Sequence, residues 1–239
     1  MRNYTKRFFA IRESKALQSA GEIVPIIMDY INPASVVDIG CGNGTWLSVF
    51  AKHNVSDLLG VDGGYVDSEN LLIPLEQFTA FDLSKDFTIE KRFDLAMSLE
   101  VAEHIPTDKS KQFVAMLTRL SDVVMFSAAV PGQGGVDHIN EQWQSYWANI
   151  FKQFEYVPVD FVREMVWSNP NVRYWYKQNI LIYCKESALE ELSTISTSSK
   201  NILDIVHPDM YSQLTNFFAV KWLLKLYFLM KKIYLRLPI

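Results

Sequence analysis

Val36-Val37-Asp38-Ile39-Gly40-Cys41-Gly42-Asn43-Gly44-Thr45-Trp46-Leu47 is the stretch on which the fold turns. An apolar run leads to an acidic residue, three glycines alternate with other residues, and a helical pattern begins at Thr45. This reads as a strand, a tight turn and a helix, with glycines that let the backbone turn sharply and approach a ligand with no Cβ in the way. A dinucleotide site would read GxGxxG, so that a pyrophosphate could rest on the helix N-terminus. This loop reads GxGxG and accommodates no phosphate. A glycine turn alone often serves only strand-to-helix packing; here the flanking sequence gives it weight.

Outward from that loop, short apolar runs alternate with helical patterns. Strands are expected at residues 35–39, 58–61, 78–81, 93–98, 123–127, 155–159 and 179–183, and helices at 45–52, 109–120 and 140–151. Such alternation implies βαβ units. The expected fold class is therefore α/β: a doubly wound, mostly parallel seven-stranded sheet with an antiparallel strand at its edge. Residues 14–30 read as a helical lead-in that Gly21 and Pro25 interrupt. Residues 187–200 are rich in Ser, Thr and Glu and mark a linker, so 1–186 is expected as one domain and 187–239 as a linker with a C-terminal helical appendage.

The composition, 49% hydrophobic and 21% charged, is that of a folded globular chain. A net charge of −4 offers no general attraction to polyphosphate, so nucleic acid is not expected as a partner. Cys41 and Cys184 are too few for a disulfide framework and lack CxxC spacing, which fits a reducing compartment. The charged N-terminus lacks the apolar run of a signal peptide, and a cytoplasmic location is expected.

Three acidic residues close three successive strands: Asp38, Asp62 and Asp82. A carboxylate at the second position can accept both hydroxyls of a ribose, and one at the third can accept from an adenine amino group while Leu83 packs on the ring. Taken singly, an Asp after a strand is more often a cap or turn residue. With the glycine loop, the three make residues from about 34 to 105 resemble the class I S-adenosylmethionine-dependent methyltransferases. The resemblance implies that Asp38, Gly40, Gly42 and Gly44 surround the methionine moiety, Asp62 the ribose, and Asp82 and Leu83 the adenine. Cys41, Asn43, Trp46, Gly63 and Leu99 complete the implied cofactor set. Residues 98–106 and 129–179 are similar to methyltransferases of glycan biosynthesis, some of which are fused to glycosyltransferases.

The fourth strand runs into Leu99-Glu100-Val101-Ala102-Glu103-His104-Ile105-Pro106. If a helical turn starts there, Glu100, Glu103 and His104 fall at i, i+3 and i+4 and face one way. Two carboxylates and an imidazole offer three ligands to a divalent cation, Mg²⁺ or Mn²⁺, with His138 of the next strand's loop as the fourth. Small-RNA 2′-O-methyltransferases have a similar ExxEH set with a distant histidine, and ubiquinone-pathway O-methyltransferases a similar ExxEH set. Both use a divalent ion. The plainer reading leaves the glutamates solvated or capping the next helix. A cation would make a sugar hydroxyl easier to ionise, and without one His104 or His138 is the candidate general base, with Glu100 beside it.

The acceptor is expected among amides and aromatic faces: Asn140, Glu141, Trp143, Trp167, Asn169, Trp175 and Gln178. Trp143 and Trp147, four apart, equally suit a buried helix face. Residues 216–239 are apolar with Lys221, Lys225, Lys232 and Arg236 along one helical stripe. That helix either packs on the domain or a protein partner, such as a glycosyltransferase, or lies on an anionic membrane surface. Three activities fit: O-methylation of a sugar in a glycan or glycolipid, methylation of a lipophilic phenol or quinone precursor, and a catalytically silent cofactor-binding subunit.

Overall fold

The computed structural model describes residues 6–85, 88–189, 203–216 and 218–234 and divides the chain into two compact units, 1–205 and 206–239. The first unit holds β1 (Ser35–Ile39), β2 (Asp57–Asp62), β3 (Phe78–Ala80), β4 (Leu95–Leu99), β5 (Val123–Ser127), β6 (Tyr156–Val159) and β7 (Leu181–Lys185). They form one sheet in the order β3-β2-β1-β4-β5-β7-β6. Pairing is parallel from β3 through β5, while β7 runs antiparallel to both β5 and β6. This is a doubly wound α/β fold with the mostly parallel seven-stranded sheet expected from the sequence. The antiparallel strand sits one place in from the edge, and β6 holds the edge itself.

β1, β4 and β5 are buried along their whole length, as strands covered on both faces must be. One face carries α1 (Lys6–Tyr30) and α2 (Thr45–Lys52), which bury Ile23, Ile27, Leu47 and Phe50. The other carries α3 (Ser110–Leu120) and α4 (Gln144–Lys152), with Phe113, Leu117, Trp147 and Phe151 gathered around Phe126. Helices α5 (Val162–Val166) and α6 (Tyr174–Asn179) lie between β6 and β7.

Several expected boundaries move. Helix α1 runs unbroken through Gly21 and Pro25. The proline forfeits a ladder bond at about 3 kcal/mol, but Ile23, Val24 and Ile27 are fully buried, each worth about 1.5–3 kcal/mol, and burial wins. Helix α4 begins at Gln144 and not at 140, because the preceding backbone is tied elsewhere: Ile139 N and Asn140 N both donate to Glu103 O, and Gln142 N donates to Ala129 O. Asp204 then caps α4, accepting from Ser145 N at 2.8 Å and Ser145 Oγ at 2.7 Å. The first unit therefore extends past residue 186, the boundary expected from sequence. Residues 190–202, most of the expected linker, lie outside the described residues.

The second unit contains α7 (Pro208–Asn216) and α8 (Phe218–Tyr234). Arg236 of the expected basic stripe falls outside the described residues. Strand order in the sheet reverses between β1 and β4. In an open α/β sheet, ligands bind at the carboxyl ends of the strands flanking that reversal. Residues 39–44 and 99–104 border the crevice.

Candidate active site

At the end of β1, Gly40 has φ 88°, and a Cβ there would lie 2.3 Å from Val101 Cγ2. Gly44, at φ 81°, would meet Ile73 in the same way. Gly42 differs: at φ 55° it has nothing within 4 Å of its Cβ position, so open space stands over the middle of the loop. Its N–H donates to Asp62 Oδ2 at 2.6 Å, while Gly63 N and Tyr65 Oη donate to Oδ1 at 2.6 and 2.5 Å. Asp38 is buried at the loop's root, and burial first, then the neighbouring Asp62, holds its carboxyl well above the usual range. Burial also pushes the Cys41 thiol up, which makes it inert. Asn43 Oδ1 accepts from Thr45 Oγ1 at 2.6 Å. Trp46 is buried edge-on to Tyr176, with centroids 5.1 Å apart, and Leu99 is buried at the end of β4.

The third acidic position is a correction. β3 stops at Ala80, so Asp82 does not close a strand. It is exposed and accepts from both Ser84 N and Ser84 Oγ, which lowers its pKa; Lys85 stands 3.4 Å away. Leu83 is half-buried against the second core cluster.

The state of Asp38 leads to a prediction. An acid whose native pKa is raised loses stability as pH climbs from its unfolded value, 3.8, towards the native one. Asp38→Asn should therefore melt higher than the natural chain at pH 7, by about 2–4 °C per kcal/mol regained, with the difference vanishing near pH 4. Thermal melts at the two pH values check this.

Across the crevice, Glu100 has φ 57°, and its N–H continues the ladder to Ser127 O. The helical turn starts only at Ala102, as a short 3-10 turn from Ala102 to His104. Glu100 therefore leaves the face it was expected to share. Its carboxylate accepts from Gln133 Nε2 at 2.6 Å and Asn179 Nδ2 at 3.0 Å. Glu103, His104 and His138 do converge, each offering a ligand atom within 4.8 Å of the others. Glu103 is 1% exposed, and its Oε2 is buried without a partner. Burial, then Glu100 and Glu141, raises its pKa well above the ordinary carboxylate value. His138 Nε2 stands 3.9 Å from Glu103 Oε1. That is too long for a hydrogen bond and within the span of two donors each about 2.0–2.2 Å from one ion.

Each imidazole is held by its other nitrogen. His104 Nδ1 lies 3.1 Å from Asp137 O, and His138 Nδ1 3.0 Å from Glu141 Oε1. The carbonyl can only accept, so His104 Nδ1 is the donor there, and His138 Nδ1 is placed to donate to the Glu141 carboxylate, which makes Nε2 of each ring the atom that would ligate an ion. Metal-binding histidines are commonly oriented in this way. Glu141 also accepts from Gly132 N and Gly134 N, each at 2.8 Å, which moors the glycine-rich loop after β5. A Cβ on Gly135 would lie 2.1 Å from His138 Nε2, so the imidazole rests directly on that backbone.

The residues expected to meet the acceptor fare unevenly. Asn140 is buried, accepting from Thr107 Oγ1 and donating to Ser110 Oγ, and so holds two loops together. Glu141 orients His138. Asn169 donates to Glu22 of α1, and Gln178, fully buried, donates to Gln133 Oε1. Residues 167–179 read as too polar for a core, yet Tyr174, Tyr176, Lys177, Gln178 and Asn179 are all buried, because the amides are spent on one another and on Glu100. Trp147 is core, while Trp143 is exposed just before α4. Trp167 is half-buried, and Trp175 is half-buried under the Arg173 guanidinium, 4.5 Å above its ring. Sequence reading missed Tyr65 and Gln133 as site residues. Neither has a spacing signal, since each arrives by loop geometry alone.

A family model described as a methyltransferase domain matches residues 2–169. No curated protein sequence matches the chain. Among solved structures, magnesium protoporphyrin IX methyltransferase from Synechocystis PCC 6803 with bound SAH is similar at 17% identity and TM-score 0.52, covering 74% of this chain and 88% of that one. The methyltransferase domain of bacterial CtHen1 is similar at 18% identity and TM-score 0.52, over 71% of this chain and 98% of that one. An O-methyltransferase family protein from Burkholderia thailandensis gives 10% identity and TM-score 0.55, over 76% and 60%.

Proposed function

Since the chain belongs to the methyltransferase-domain family, with S-adenosylmethionine as its methyl donor, we propose that it methylates a hydroxyl of a sugar in a glycan or glycolipid, aided by a divalent cation. The observation that carries this reading is the convergence of Glu103, His104 and His138, together with a Glu103 Oε2 that is buried without a hydrogen-bond partner. A buried carboxylate oxygen left without a donor is costly, and a cation removes that cost.

The cofactor fits the glycine loop. The open space over Gly42, the amide-lined carboxylate of Asp62 and the buried Asp38 suit a ligand with a diol at one end and an ammonium at the other. S-adenosylmethionine supplies an electrophilic methyl on a positively charged sulfur. The chain supplies everything that decides which oxygen receives it. Glu103, His104 and His138 would hold a cation, which would supply acidification and orientation of the hydroxyl, while Asp137 O and Glu141 orient the two imidazoles.

The character of the surroundings supports a neutral, hydrophilic acceptor. Gln133 and Asn179, which hold Glu100, give the neighbourhood amide groups suited to a hydroxylated acceptor, and the Glu100 and Glu141 carboxylates disfavour an anionic one. Trp143, exposed at the end of the following loop, offers a face for sugar C–H groups. A second reading, histidine as general base without a metal, draws on the Glu141–His138 contact, which orients an imidazole as proton acceptor equally well.

Labelled S-adenosylmethionine offered with unmethylated glycans and with hydroxylated quinone precursors tests the assignment. Label is expected in the glycans, in Mg²⁺ or Mn²⁺ and not in EDTA. Transfer to the phenols alone would replace the sugar reading.

A further inference from the structure

We propose that α8 is a tether that lies flat on an anionic lipid surface, with its apolar side in the interface and its lysines among the headgroups. Leu223, Leu226 and Tyr227 share one helical face by their spacing and are exposed, flanked by Trp222 at 67% exposure and Leu224 at 50%. Apolar residues that large are rarely left in a contiguous patch without a partner. Lys221, Lys225 and Lys232, four and seven apart, occupy the opposite face of the helix, and Lys225 and Lys231 are exposed.

Charge identifies the partner. Five of the chain's 23 basic residues and none of its 27 acidic ones fall after Asp209. The tail is thus purely cationic while the rest of the chain is acidic. A second copy would cover the apolar side and leave the lysine stripe on the outside without counter-charge, whereas anionic headgroups neutralise it and accept Trp222 and Tyr227 at the depth where aromatic rings with a polar tip reside. No helix among the described residues is long and apolar enough to cross a membrane, and attachment to its surface needs none.

The test is co-sedimentation of the full chain with vesicles of phosphatidylcholine alone or with one third phosphatidylglycerol. Binding is expected to the anionic vesicles, to weaken with salt, and to fall at least about tenfold in the double variant Lys225→Glu, Lys231→Glu. Leu223→Ser with Tyr227→Ser should also lose it, with S-adenosylmethionine affinity unchanged in both variants as the check on folding. In the natural chain, anionic vesicles should shift tryptophan emission to the blue, and Trp222→Phe should remove that shift. Equal binding to both vesicle types, or no binding together with self-association that the serine variant abolishes, would overturn the proposal; the latter result would identify a second copy as the cover.

Discussion

Glu103→Gln is expected to lower methyl transfer by more than about 100-fold while S-adenosylmethionine binds as tightly as before, because even outer-shell partners of a metal are commonly worth 10–100-fold. EDTA should reproduce the loss in the natural chain, and Mn²⁺ or Mg²⁺ should reverse it there but not in the variant. Gly135→Ala supplies an independent arm. Its new Cβ must push the His138 imidazole away while every ionisable side chain keeps its identity, so metal affinity should fall with the cofactor site intact. Full turnover after exhaustive metal removal would refute the cation and leave imidazole as the base. Calorimetric titration of Mn²⁺ alone into the chain reads the site without turnover.

The second large effect is at Asp62. Its two oxygens already gather Gly42 N, Gly63 N and the Tyr65 hydroxyl, so the carboxylate sits in a ring of donors at the end of β2. Asp62→Ala should weaken S-adenosylmethionine binding by about 2 kcal/mol, roughly 30-fold, through two charge-assisted hydrogen bonds lost to the ribose. The same substitution strands two backbone donors and lowers stability. Tyr65→Phe serves as the control: it removes one donor and spares the carboxylate, so affinity should hold. Calorimetry showing equal affinity in the natural chain and Asp62→Ala would contradict the assignment.

Much of this was legible in the residues. Apolar runs of four to six located all seven strands, most plainly at β1, β4 and β5, where burial on both faces leaves a continuous hydrophobic signature. The glycine loop was legible for a similar reason: Gly40 and Gly44 need positive φ and closeness to Val101 and Ile73, which no other residue type provides. Glu100 was misjudged because helical spacing assumes helical dihedrals from the first residue, and φ 57° at that residue breaks the premise. The late amides were misjudged for another reason. Asn169 and Gln178 look like ligand-binding groups in a linear chain, but their partners Glu22 and Gln133 are far away in sequence. Buried polar networks satisfied at long range leave no local pattern to read.

Glu103 acts through two groups at once. Its side chain faces the histidines, and its main-chain carbonyl accepts from Ile139 N at 2.9 Å and Asn140 N at 3.0 Å, pinning the loop that delivers His138. Any amino acid brings that carbonyl; only some bring a suitable donor atom. Replacing the carboxylate with another strong donor, an imidazole or a thiol, is therefore expected to leave the loop where it is and to change which ion the proposed site prefers. Ion preference would in this sense be an interchangeable fitting, set by one side chain on a backbone that does not need to be rebuilt.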